Sequence, residues 1–312
     1  MSETCFLVAD VGGTNTRISL TQGTKLLKNT VKTFSNNSVN SLEIILSQYL
    51  DLNLVNNLDG ICFAVAGPVE QDRVTLTNVS WTIDLEQLKK VSGSPTASLL
   101  NDLQAQAYAL PSLKDEHLDH LFGPKPTNRG DRMLVCGIGT GFNIAEFIPT
   151  AYGPIVPPAE AGHARVPVRT DQERWIVNRI VAEKGFASIE DILSGSGLTL
   201  LNRYICPEIP RTSKEVVEHS QNDPKAQEVV NCMVRFAGSI FGDLALTTLP
   251  FGGIYLIGGV SRAIAPHIHE DNYGAAFCDK GRFSEFNRQF GTFVVVDDFA
   301  ALKGCANYLA QG

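Results

Sequence analysis

Apolar positions fall along the chain in short runs punctuated by glycine. Residues 4–9 (TCFLVA) form one run, which stops at Asp10-Val11-Gly12-Gly13-Thr14-Asn15; a second, partly alternating run follows at Arg17-Ile18-Ser19-Leu20. Runs of this length bounded by turn residues predict strand, glycine turn, strand. The order returns at Met133-Leu134-Val135-Cys136, Gly137-Ile138-Gly139-Thr140-Gly141 and Asn143-Ile144-Ala145-Glu146-Phe147. A further pair, GICFAVAGP at 60–68 and GIYLIGGV at 253–260, reads as two apolar strands ending in small residues. Identities between the halves are few, but the matching order is that expected from two copies of one α/β plan facing each other.

Helical spacing fills the intervals. From Ser41, the residues Leu42, Ile45, Leu46, Tyr49 and Leu50 recur at helical spacing and mark one apolar face. Thr170-Asp171-Gln172-Glu173 has the form of a capping box, and Gly185 is placed to close that helix in the left-handed conformation. Asp223-Pro224 opens another helix, with Val230, Val234, Ala237, Phe241 and Leu244 on one face. Met133-flanking loop residues 123–130 (GPKPTNRG) are rich in Pro and Gly and read as a loop. The helix that begins at Pro224 should end before Pro250.

Length adds a domain count: 312 residues suggest two domains at about 150 residues each. The 44% hydrophobic and 19% charged fractions belong to a globular chain. A net charge of −7 disfavours nonspecific binding to nucleic acid or anionic membrane, so any phosphate ligand must be held by local devices. No apolar run reaches the roughly 18 residues of a membrane span, and MSETCFLVAD has no basic leader region. The seven cysteines include none closer in sequence than Cys206 and Cys232, which supports neither a C-x-x-C metal site nor a disulfide framework. A cytoplasmic protein is the expectation.

The first glycine turn carries the sharpest chemistry. Asp10 ends a strand, Gly12 and Gly13 allow close backbone approach, and Thr14 adds a hydroxyl. Such a turn can meet phosphate oxygens with N–H groups while the carboxylate holds Mg²⁺ directly or through water. It is neither a Walker loop nor a dinucleotide fingerprint. A plain hairpin is the bland alternative; Gly139-Thr140-Gly141, a second such turn, favours an ATP clamp.

These motifs extend into an ordered series: DVGGTNTR at 10–17, AGPV at 66–69, TNVSW at 77–81, LNDLQAQAYAL at 100–110, EAGH at 160–163, ILSGSGL at 192–198 and GGIYLIGGV at 252–260. Along nearly its whole length the sequence resembles bacterial glucokinases of the hexokinase/actin-like ATPase superfamily. The resemblance implies two ribonuclease-H-like α/β domains around a central cleft, the smaller spanning 1–110 plus 299–312 and the larger 111–298. It implies ATP- and Mg²⁺-dependent phosphorylation of glucose at the 6-hydroxyl, and a homodimer. Asp102 would be the catalytic base. Asn101, Glu160, His163 and Glu190 would hold sugar hydroxyls, with Asn78 and Trp81 nearby and Trp81 in the core. Asp10, Gly12, Gly13, Thr14, Asn15, Gly139, Thr140, Gly141, Gly258 and Gly259 would serve the nucleotide, and Asp10 the metal.

Out of context, Asn101-Asp102 would read as a helix cap, His163 as structural and Glu190 as a solvated helix residue. Two departures stand out. Phe142-Asn143 follows Gly141 where the family pattern continues Leu-Gly, so Asn143 is expected at the edge of the phosphate cradle, crowding the nucleotide. Arg165 follows His163 where the family tends to carry Asp. A ROK-type kinase for another hexose or amino sugar is the neighbouring reading, though residues 164–205 hold none of the cysteines of its zinc motif. A sugar sensor without catalysis is another, though Asp10 and Asp102 are both present.

Overall fold

The first glycine turn joins β1 (Cys5–Val11) to β2 (Asn15–Gln22) as an antiparallel hairpin with Asp10 opposite Arg17. This computed structural model describes residues 4–311 except 54, 56, 68, 70, 71, 77, 78 and 80, so Asn78 lies outside the described residues. β2 continues into β3 (Lys25–Leu26) and pairs also with β4 (Lys32–Ser35). On its other side β1 runs parallel to β5 (Gly60–Val65), and β5 parallel to β8 (Ala97–Asn101), while β6 (Arg73–Thr75) and β7 (Thr82–Asp84) form a separate hairpin. All six residues of β5 are buried, as expected of a central parallel strand covered on both faces.

The helices Leu42–Asn53 and Ala300–Leu309 supply apolar faces to this unit. Leu42, Ile45, Leu46 and Tyr49 are buried as their spacing predicts. They join Leu7, Ile18, Ile61, Phe63 and Trp81 in one core.

A second sheet repeats the plan. β10 (Met133–Ile138) and β11 (Phe142–Phe147) form the hairpin around the second glycine turn; β12 (Ile254–Ile257) and β13 (Thr292–Val295) continue in parallel, and β9 (Leu118–Phe122) closes the far edge antiparallel to β13. The matching of 4–20 with 133–147, and of 60–68 with 253–260, is therefore visible as equivalent places in two sheets. The long helix Pro224–Thr248 begins at an Asp223 cap and ends at Leu249 in the left-handed region. It is long and apolar enough to cross a membrane, yet Val230, Met233, Val234, Phe236, Ala237 and Phe241 are buried in the core of this unit. The Thr170–Glu173 capping box and the left-handed Gly185 close the helix Asp171–Lys184 as predicted.

The two compact units are Met1–Leu113 with Thr150–Pro158 and Asp297–Gly312, and Lys114–Pro149 with Ala159–Val296. The boundaries thus differ from 110 and 299, and the segment 150–158, expected in the larger unit, belongs with the first. That excursion is tied down by Gln104, whose side-chain amide donates to the Val156 carbonyl at 2.8 Å.

Candidate functional site

In the first unit the carboxyl ends of β1, β5 and β8 bring the candidate residues to one edge of the sheet, where open α/β sheets place their ligands. The turn after β1 is tight: Gly12 N–H donates to Asn15 O at 3.0 Å. It is braced by Asn36, a buried side chain whose amide donates to Gly12 O at 2.7 Å and accepts from the Thr16 hydroxyl at 2.7 Å; Asn36 N–H donates to Thr14 O at 2.8 Å. The sequence reading missed Asn36, because a lone asparagine beyond a short strand carries no signal of its own. Turn closure consumes the Gly12 N–H, so Gly12 shapes the loop rather than offering a donor. The N–H groups of Gly13 and Thr14 take no partner among the described residues and stay available to an anion.

Asp10 stands at the end of β1. Burial pushes its carboxyl above the ordinary value, and Arg17 across the hairpin pulls it partway back. An incompletely compensated carboxylate of this kind suits a divalent cation. Among the described residues there is no group of three or more His, Cys, Asp or Glu that could hold a metal ion.

Asn101 ends β8 and caps the helix Asp102–Ala109: its Oδ1 accepts from Leu103 N–H at 3.0 Å, its Nδ2 donates to Gly67 O at 3.0 Å, and its own N–H donates to Gln104 Oε1 at 3.0 Å. The cap reading therefore holds for Asn101 itself. Asp102 is the first helical residue, accepting from Leu103 N–H at 2.9 Å. Burial raises its pKa to about 6; hydrogen bonds from the helix oppose this, and the Asp10 charge adds to it. β1 and β8 both run parallel to β5, with Asp10 opposite Ala64 and Ala64 opposite Leu100, so Asp10 and the Asn101–Asp102 pair lie at the same edge of the sheet.

The second unit gathers the other half of the candidates. Gly139 N–H closes its own turn onto Gly141 O at 2.9 Å, and Gly195 N–H donates to Gly139 O at 2.9 Å. Gly139 is thus not a free phosphate donor, contrary to expectation; the N–H groups of Thr140 and Gly141 remain without a partner among the described residues. Gly258 abuts this turn with φ +104°, and a Cβ there would lie 2.4 Å from Ile138 O, so only glycine fits. Gly259 follows it, exposed, at the start of the helix Gly259–Ile264.

Glu190 connects this turn to the Glu160–His163 segment. Its carboxylate accepts from Phe142 N–H at 2.9 Å and its own N–H donates to Gly162 O at 2.9 Å. It lies in a turn rather than on a solvated helix. Gly162 is buried beneath the Phe142 carbonyl, and Glu160 and His163 flank it, both exposed. Asn143 is not directed at the nucleotide turn: its Nδ2 donates to Ala159 O at 2.5 Å and approaches Glu160 Oε2 at 3.4 Å, while its Oδ1 accepts from Ile144 and Ala161 N–H at 2.8 and 3.0 Å. The expected crowding of the phosphate cradle is corrected by this geometry, since β11 pleats the side chain toward the Glu160 loop. Arg165 stacks its guanidinium 4.7 Å from the Phe186 ring centroid.

Residues 7–312 match the family model described as Glucokinase. The chain is 34% identical over 313 residues to a glucokinase of Salmonella schwarzengrund, covering 98% of this chain and 97% of the relative, and 33% identical to one of Shigella sonnei over the same shares. Among solved structures, a glucokinase from an Antarctic psychrotroph superposes with TM-score 0.89 at 26% identity, covering 99% of both chains. A Balamuthia mandrillaris glucokinase in complex with glucose gives 0.80 at 21% identity, with 99% of this chain and 94% of that one covered, and shares the fold. With the family match running from the first strand to the last residue, the chain belongs to the glucokinase family.

Proposed function

We propose that, in the ATP-dependent phosphorylation of glucose that membership in this family assigns to the chain, Asp102 is the general base. The observation that carries this is a carboxylate at a helix start, half-buried beside Asp10, with a pKa raised to about 6. A base is most effective when its pKa approaches the working pH while it remains ionised, which is the balance this environment sets.

In this reading the deprotonated Asp102 orients the sugar 6-hydroxyl and takes its proton. The hydroxyl oxygen bonds to the γ-phosphorus as the bond from that phosphorus to the β–γ bridging oxygen breaks, and ADP leaves. The Asn101 amide, both donor and acceptor, is of the kind that vicinal sugar hydroxyls require. Glu160, His163 and Glu190 serve the remaining hydroxyls. N–H groups of Gly13, Thr14, Thr140 and Gly141 receive phosphate oxygens, with Asn15 and Gly259 at the rims of their turns and Gly258 admitting the nucleotide's adenosine end. Mg²⁺, held by Asp10 directly or through water, would neutralise charge on the phosphate oxygens. A homodimer in the cytoplasm completes the reading.

A coupled assay with ATP and a panel of glucose, mannose, fructose, glucosamine and N-acetylglucosamine tests it. Glucose should have the highest kcat/KM and turnover should require Mg²⁺. A chain that binds glucose but turns over no ATP would be a sensor, and preference for an amino sugar would return the ROK-like reading.

A further inference from the structure

β11 is the edge strand of its sheet, pairing with β10 on one side only. On its free side the chain docks the Glu160 segment through a side chain instead of a strand ladder, and that side chain is Asn143. The amide orientation is determined by its partners: Oδ1 accepts two backbone N–H groups, from Ile144 and Ala161, so Nδ2 must be the atom facing Ala159 O and Glu160 Oε2. Asn143 therefore holds the residue before Glu160 by its carbonyl, the residue after it by its N–H, and faces the carboxylate itself. Glu160 is exposed, and the Asn143 amide is the only hydrogen-bond partner its carboxylate has among the described residues.

We infer that Asn143 is a positioning residue for sugar recognition, acting through Glu160: it sets where the Glu160 carboxylate stands and which way it points before a hexose arrives. The inference rests on the assignment of Glu160 to the sugar. Without Asn143 the exposed carboxylate regains rotamer freedom that binding must then remove, and its loop loses two backbone tethers. The cost falls on sugar binding. The nucleotide turn keeps its own closure through the Gly139–Gly141 and Gly195–Gly139 bonds, so ATP binding is spared.

Steady-state kinetics on the full chain test this with Asn143→Ala, Glu160→Ala and the double variant. Asn143→Ala should raise the glucose KM about 5- to 20-fold, the span of one or two lost hydrogen bonds, with kcat and the ATP KM within about twofold of the parent. In the Glu160→Ala background the further effect of Asn143→Ala should disappear, because the group it positions is gone. Asn143→Asp keeps both backbone acceptor bonds, and so the fold of the loop, but sets a carboxylate against Ala159 O and Glu160. Its glucose KM should rise at least as far as that of the alanine variant, and it serves if Asn143→Ala does not fold. An unchanged glucose KM in a folded Asn143 variant, an effect confined to the ATP KM, or strict additivity in the double variant would each overturn the inference while leaving Glu160 in place. If Glu160→Ala alone leaves the glucose KM unchanged, the assignment of Glu160 fails first, and the inference with it.

Discussion

At Asp102, burial and the Asp10 charge favour the protonated carboxyl, whereas helix N–H groups favour the ionised one; the outcome is a pKa near 6. A base must be ionised to act, so kcat/KM for glucose should fall as pH drops through about 6, and Asp102→Asn should remove that limb while costing on the order of 10²–10⁴ in kcat. A flat profile between pH 5 and 7.5 in the parent would refute the assignment. The same environment has a consequence for stability. An unfolded Asp titrates near 3.9, so between about 4 and 6 the folded chain holds a proton that the unfolded chain has released. The stability tied to the protonated form is complete below about pH 4 and is lost as pH rises to about 6. Asp102→Asn, which cannot ionise and still accepts from Leu103, should therefore be more stable than the parent at pH 7.5 by roughly 1–2 kcal/mol, a figure discounted for partial exposure. Thermal melts at pH 7.5 and 4.5 check this, the gain falling to about a third at the lower pH. The Asn-Asp pair was legible as a motif, and the N-x-x-Q spacing from Asn101 to Gln104 carries the capping box that fixes it. Asn36 and the true partners of Asn143 were not legible, because their bonds span 24 and 18 positions and depend on which strand edge is free.

At the scale of elements, β11, the Glu160–His163 turn and the Ser188–Ile192 turn are joined by short bonds that run through backbone atoms. Gly162 is where they touch: a Cβ there would lie 2.1 Å from Phe142 O and 3.5 Å from Glu190 Cβ. Backbone cannot yield as a side-chain tip can, so Gly162→Ala must push the Glu160 turn off the edge strand. We expect a rise of at least tenfold in glucose KM and a loss of about 1–3 kcal/mol of stability, the range for overpacking at a tight contact. Kinetics and a denaturant titration together check it; a variant with parental values for both would show that the turn is not seated as described. The strands around the two glycine turns, β5 and β12, the Thr170–Glu173 cap and the long Pro224–Thr248 helix were readable from apolar periodicity and terminal residues, since those signals are local. The contact of Gly162 with β11 was not, because a glycine's need for space depends on what crosses it.

At the scale of the whole molecule, two sheets of the same plan each carry their own buried cluster, and this doubling was visible as a repeated order of apolar runs and glycine turns. What local patterns could not show is how the first unit is completed by the end of the chain. The helix Ala300–Leu309 packs on β1, on β5 and most closely on the helix that begins with Asp102. At their crossing Gly304 stands so near its neighbour that a Cβ would fall 1.6 Å from Ala105 O and 3.1 Å from Ala109 N. The backbones are in direct contact, and no rotamer can relieve an added methyl. Gly304→Ala is expected to separate the two helices, costing about 3 kcal/mol or more, beyond the usual span for overpacking because both obstructing groups are backbone. Since the displaced helix carries Asp102, kcat should fall more than the glucose KM rises. Hydrogen exchange distinguishes this from general loosening: protection should drop across Asp102–Ala109, Ala300–Leu309 and the adjoining β1 and β5, while β10, β12 and the Pro224–Thr248 helix keep theirs. A Gly304→Ala chain with parental melting temperature and kcat would mean that the two helices do not cross at this glycine.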